Sequence, residues 1–198
     1  MRRPVGLLNA CVLMMLGCGG WEEPALTAPD EGSVAETSEA ALDLGPVLVT
    51  CPVGTSQAFY SPGLKNTPQD VTVSGQATLS NCVTVLGDPV TSGTNSLTSS
   101  VVRGFSCGDL LLPRAVTQTV TWNTGETSTM VFTQLRVGVQ GTLSVFVLTG
   151  TVRSGKFVDA TAVRTISYVT VDLEDGCASP EGLTSLSGLT TLSLTKVL

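Results

Sequence analysis

Histidine is absent from the chain. That removes the commonest metal ligand and the one side chain whose ordinary pKa lies near neutrality, and it excludes Ser-His-Asp and Cys-His nucleophiles and His-ligated zinc. Charge is scarce, with 10 Lys and Arg and 16 Asp and Glu among 198 residues, and aromatic residues make up only 5%. No two cysteines have Cys-x-x-Cys spacing, so a zinc or redox motif of that type is excluded as well. The apolar run near the amino terminus is shorter than the roughly 20 residues that cross a bilayer as a helix, and Asn9 interrupts it.

The charge is also unevenly placed. Glu22, Glu23, Asp30, Glu31, Glu36, Glu39 and Asp43 fall in one stretch that has neither Lys nor Arg, so the net charge of −6 belongs to that stretch. From Gly45 onward acids and bases nearly balance, with no basic cluster to neutralise phosphates, and nucleic acid is set aside as a partner.

What is present begins with Arg2 and Arg3, an apolar stretch from Val5 to Leu16 and the small residue Gly17, which is the pattern of an export signal. Met15-Leu16-Gly17-Cys18 resembles the lipobox of bacterial lipoproteins, although that family usually has Leu where Met15 stands and a small residue where Leu16 stands. The resemblance implies cleavage after Gly17, acylation of Cys18 and attachment through two or more acyl chains, enough for stable anchoring. Leu8-Asn9-Ala10-Cys11 is a rival match, but too little apolar sequence precedes it. The chain thus divides into a signal peptide over 1–17, an acidic tether over 18–44 beginning at the lipidated cysteine, and a domain over 45–198. The expected location is the cell envelope, on a bacterial membrane and facing away from the cytoplasm, with plain secretion as the alternative. The tether, poor in bulky apolar residues after Trp21, cannot offset its ordering entropy and has a reach of about 30 Å.

From Gly45 the texture changes to Thr, Val, Ser and Gly with apolar residues at period two, the signature of strands. Strands are expected over Ser56–Ser61, Gln69–Leu79, Cys82–Leu86, Leu97–Phe105, Thr117–Trp122, Thr127–Val137, Thr142–Arg153, Ala160–Asp172 and Ser187–Val197. Gly75 marks an irregularity in the second, Asn123 to Glu126 a short hairpin loop with Gly125 left-handed, and Gly138 to Gly141 a second hairpin. A sandwich or a barrel follows from such strands. The reading favours an all-β, antiparallel β-sandwich, immunoglobulin-like in general architecture, with two disulfides. Cys107, Trp122 and Cys177 follow the immunoglobulin order, but Asp175 stands where the tyrosine corner requires Tyr. Asn81-Cys82-Val83, Thr121 to Thr127 and Ser154-Gly155-Lys156-Phe157 give the domain a resemblance to a group of secreted bacterial β-domain proteins without an assigned activity. It implies a secreted β-domain with paired cysteines.

Cys51, Cys82, Cys107 and Cys177 allow three pairings. Antiparallel pairing of Cys82–Leu86 with Leu97–Phe105 would join Cys82 to Cys107, leaving Cys51 for Cys177. Asp172, Glu174 and Asp175 are weak candidates for a cation site in one acidic turn, for which solvated turn residues are the simpler explanation. Ser193 and Lys196 have the spacing of a Ser-Lys pair, but three residues apart on a strand they face opposite ways. Trp122, Phe59, Tyr60, Phe132, Phe146 and Tyr168 read as packing residues. No cofactor motif is found. The sequence therefore points to a non-enzymatic surface module that binds a protein or glycan or serves as structure. The alternative is a hydrolase of cell-envelope polymers using Asp172 and Glu174. For the anchor, Cys18→Ala is expected to move the protein from the membrane fraction to the soluble one, and intact mass should show acyl chains on Cys18. A soluble wild-type product starting at an unmodified Gly19 or Gly20 would establish plain secretion instead.

Overall fold

The alternation of Thr161–Val169 shows how the domain is built. Ala162, Arg164, Ile166 and Tyr168 are buried, and the residues between them are partly exposed. The computed structural model describes residues 45–196; the signal peptide, Cys18 and the tether lie outside them. In chain order the elements are β1 (Val47–Cys51), β2 (Val53–Leu64), β3 (Gln69–Ser80), β4 (Val83–Thr84), β5 (Gly93–Phe105), a 3₁₀ helix (Cys107–Leu111), β6 (Val116–Trp122), β7 (Thr127–Gln140), β8 (Leu143–Gly155), β9 (Thr161–Val169), α1 (Thr170–Ala178) and β10 (Leu183–Thr195). No helix among the described residues is long and apolar enough to cross a membrane.

All pairings are antiparallel, and β2-β3-β5-β6-β7-β8-β9-β10 follow one another around the sheet. The last of these returns to the first. Leu183 to Leu189 pair with β2, and Leu192 to Thr195 continue along β1. Pro52, which has no N–H to give, falls at the junction of β1 and β2. The class is the expected one: all-β and antiparallel with two disulfides. Within it the strands close into a single eight-stranded ring and not into two facing sheets, because β10 is long enough to pair with both segments of the first strand and leaves neither edge open.

Apolar side chains fill the ring as two clusters. Val49, Leu79, Trp122, Met130, Phe132 and Leu192 belong to one; Tyr60, Val71, Phe105, Phe146, Ile166 and Leu186 belong to the other. Outside, Thr55, Gln57, Thr117, Thr121, Ser187 and Thr191 are exposed. Apolar side chains are exposed on the ring strands as well, among them Val53, Phe59, Val101, Val139 and Leu189.

Three expectations need correction. The strand expected to run to Asp172 stops at Val169, and the expected acidic turn is the helix α1, whose Leu173 and Cys177, one turn apart, pack on the second cluster. β4 is only Val83–Thr84, and it pairs with β1 instead of β5. That pairing sets the disulfides: Cys82 lies beside Cys51, and Cys107 bonds to Cys177, tying the 3₁₀ helix to α1. The pairs Cys82–Cys107 and Cys51–Cys177 are not formed. The irregularity at Gly75 is present as a register shift against β5, and Gly125 (φ 85°) and Gly141 (φ 61°) are left-handed in their hairpin turns.

The loops closed by the bridges span 31 and 70 residues. Loss of either is expected to cost roughly 3.5 to 4.5 kcal/mol through the freed unfolded chain. Peptide mapping without reduction should recover Cys51 linked to Cys82 and Cys107 linked to Cys177, and reduction should lower the thermal midpoint.

Candidate functional site

The ring is not filled evenly. Next to the second cluster lies a half-open cavity of about 200 Å³ to which all eight ring strands contribute, with Tyr60, Leu97, Phe146, Leu148, Ile166 and Leu186 among its walls. The space exists because β5 and β6 hold register only from Gly93↔Trp122 to Asn95↔Val120. Beyond that point they part, and the chain between them forms the 3₁₀ helix, which places Leu110 and Leu112 over the cavity. Asp109 fixes this roof by accepting from the Ser106 amide at 2.8 Å and the Ser106 hydroxyl at 2.6 Å. Those bonds hold its carboxyl below the usual carboxylate range. Arg114 lies over the Phe105 ring, 4.9 Å from its centroid.

Between the two apolar clusters lies a polar layer centred on Arg164, a residue only 5% exposed. Along the ladders its neighbours are Leu148 on β8 and Leu192 on β10. Its Nε donates to Thr190 Oγ1 at 3.1 Å, Nη1 to Gln118 Oε1, and Nη2 to Ser56 Oγ at 3.3 Å. Every acceptor is neutral, and no carboxylate lies within ion-pair distance among the described residues. Burial pushes the guanidinium pKa down, opposed by Tyr168.

Arg164 also orients its neighbours. Because Gln118 must turn its oxygen to the guanidinium, Asn95 must offer its amide nitrogen to the same oxygen, at 2.9 Å. Asn95 Oδ1 is then left buried and without a hydrogen-bond partner. Arg164, Asn95 and Ser56 line a second cavity of about 100 Å³, which shares Ala58, Leu97, Gln118, Ile166 and Tyr168 with the apolar one. Gly188 makes room for Tyr168, since a Cβ there would sit 2.6 Å from the tyrosine ring.

The residues singled out in the sequence lie elsewhere. Asp172, Glu174 and Asp175 are exposed on α1 and do not line the cavity, and no three His, Cys, Asp or Glu residues converge on a possible metal among the described residues. Ser193 bonds Thr50 across β1 and β10 at 3.2 Å, while Lys196 is exposed. Trp122, Tyr60, Phe132, Phe146 and Tyr168 are buried, whereas Phe59 is exposed. Cys18 is outside the described residues. Arg164 was missed, although a signal existed: it is a charged residue in phase with the apolar members of a period-two strand. Comparison with protein families, curated proteins and solved structures finds no match to this chain.

Chemically the arrangement can hold and orient a small molecule. It offers apolar walls, the phenols of Tyr60 and Tyr168, the amides of Asn95 and Gln118, and three charged groups, Arg164, Arg114 and Asp109. Burial raises the pKa of both Tyr60 and Tyr168, and for Tyr168 the Ser56 hydroxyl and Arg164 pull in the opposite direction. A phenol whose folded pKa lies above its unfolded value of about 10 contributes stability that is complete below pH ~10 and is lost as pH rises toward the folded value. These are the chain's only tyrosines. Phenolate absorbance in native protein should therefore be absent just above pH ~10 and appear together with unfolding; reversible ionisation at pH ~10 without unfolding would contradict their burial.

Proposed function

We propose that this protein is a non-enzymatic binding module of the cell envelope, held on a tether, whose barrel lumen takes up a small apolar molecule. The supporting observation is the cavity of about 200 Å³ built from all eight ring strands. Eight strands give an interior just large enough to be filled by side chains or to hold one small ligand. Here one cluster packs tightly and the other leaves a cavity beside it.

The hydrolase alternative has less support. Asp172 and Glu174 are exposed on one short helix, and neither lines a cleft opposite the other, as paired-carboxylate catalysis requires. Capture in the lumen is also favoured over a protein or glycan at the loops, since it uses a concavity the fold already possesses.

The test uses full-length protein carrying Cys18→Ala and fluorobenzene, a neutral probe about the size of benzene, followed by fluorine NMR. Saturable binding of one probe molecule per chain is expected. Leu148→Trp, which fills the lumen, should weaken it at least ~10-fold for a stability cost of about 1 to 3 kcal/mol. Probe binding indifferent to Leu148→Trp would overturn the lumen as the site. Turnover of an envelope polymer that is lost in Asp172→Asn or Glu174→Gln would favour the hydrolase.

A further inference from the structure

A buried cation in a polar cavity that adjoins the apolar one specifies the ligand more narrowly, in an inference that rests on the lumen-binding reading above. We propose that the lumen binds a small apolar monocarboxylate whose acid group seats on the Arg164 guanidinium. A buried charge is costly unless it is paired and hydrogen-bonded, and Arg164 has only neutral acceptors in Ser56, Gln118 and Thr190. These acceptors leave guanidinium N–H donors free, and the planar fork of arginine matches the two oxygens of a carboxylate.

Charge and size set the class. Arg164 is the only charged residue lining the polar cavity, so a monoanion balances it where a phosphate dianion would leave an excess negative charge; the apolar cavity adds one acid and one base, Asp109 and Arg114, which offset each other. The polar cavity and the apolar one meet at Ala58, Leu97, Gln118, Ile166 and Tyr168. A ligand with its head at Arg164 therefore extends its apolar body past Ile166 and Leu148 toward the roof. Since benzene fits a cavity of ~150 Å³, about 200 Å³ takes roughly eight non-hydrogen atoms. The portal lies where β5 and β6 part: Leu97, Phe105, Arg114 and Val116 line both the lumen and a groove of about 610 Å³ outside it. Arg114 there is exposed and favours the approach of an anion.

The experiment measures displacement of fluorobenzene from full-length Cys18→Ala protein at neutral pH by sodium hexanoate, methyl hexanoate and hexan-1-ol, which match the size of the lumen. Hexanoate is expected to act at roughly 10- to 100-fold lower concentration than the ester or the alcohol, as a charge-assisted bidentate contact implies. Arg164→Met should erase that preference. Arg164→Lys, which keeps the charge without the fork, should retain part of it. A merely structural Arg164 would give the three compounds equal potency in the wild-type protein, and this comparison needs no variant to fold. Equal potency overturns the carboxylate assignment and leaves the lumen reading standing, whereas failure of fluorobenzene itself to bind overturns both. A preference that survives Arg164→Met would refute Arg164 as the seat.

Discussion

Closure of the hydrogen-bond ladder by β10 is the constraint on which the other features depend. One side of this strand pairs with β9 from Gly188↔Tyr168 to Thr195↔Thr161, and the other is divided between β2 and β1. An open sheet of the same strands would expose two edges and could not enclose an interior. Each disulfide then secures something the ring does not hold. β4 has just two registered pairs, Val49↔Thr84 and Thr50↔Val83, and is tied by Cys51–Cys82. The 3₁₀ helix and α1 take no part in the ladder and are tied to each other by Cys107–Cys177.

The interior divides between packing and accommodation. Around Leu79, Val120, Met130 and Leu192 the free space is only about 10 Å³, too little for a ligand, and there the buried apolar surface supplies stability. Beyond the Arg164 layer the walls stand apart. A domain with few aromatics has little surplus stability to offset an unfilled cavity and a buried cation. The tightly packed end and the two cross-links make such an end tolerable.

Most of the strands were legible because half-buried strands carry their period in the sequence: Gln69–Ser80, Val116–Trp122 and Thr127–Gln140 begin within one residue of the positions read from alternation. The ring was not legible, since pairing of Leu192 with Cys51 leaves no trace in either local pattern. The same distance effect hid the disulfides. Cys82 was assigned to a strand expected beside β5, whereas β4 lies on β1. The helix α1 was masked by its composition: Thr170, Val171 and Gly176 are poor helix formers, and contacts of Leu173 and Cys177 with the barrel hold it. Arg164 looked like one of eight dispersed basic residues, and only its phase on β9 separates it from the others.

The seam between β5 and β6 links closure to the polar layer around Arg164. Backbone pairing stops at Asn95↔Val120, and just there the side chain of Asn95 reaches Gln118, the next inward residue of β6. Gln118 is in turn held by Arg164 on β9, which also bonds Ser56 on β2 and Thr190 on β10. Side-chain hydrogen bonds thus continue across the lumen the closure that the ladder abandons at the seam. A carboxylate on Arg164 would add negative charge to a network that has none. By strengthening the hydrogen bonds around the guanidinium it would tighten this network, so occupancy and stability of the seam would be coupled through the same five side chains.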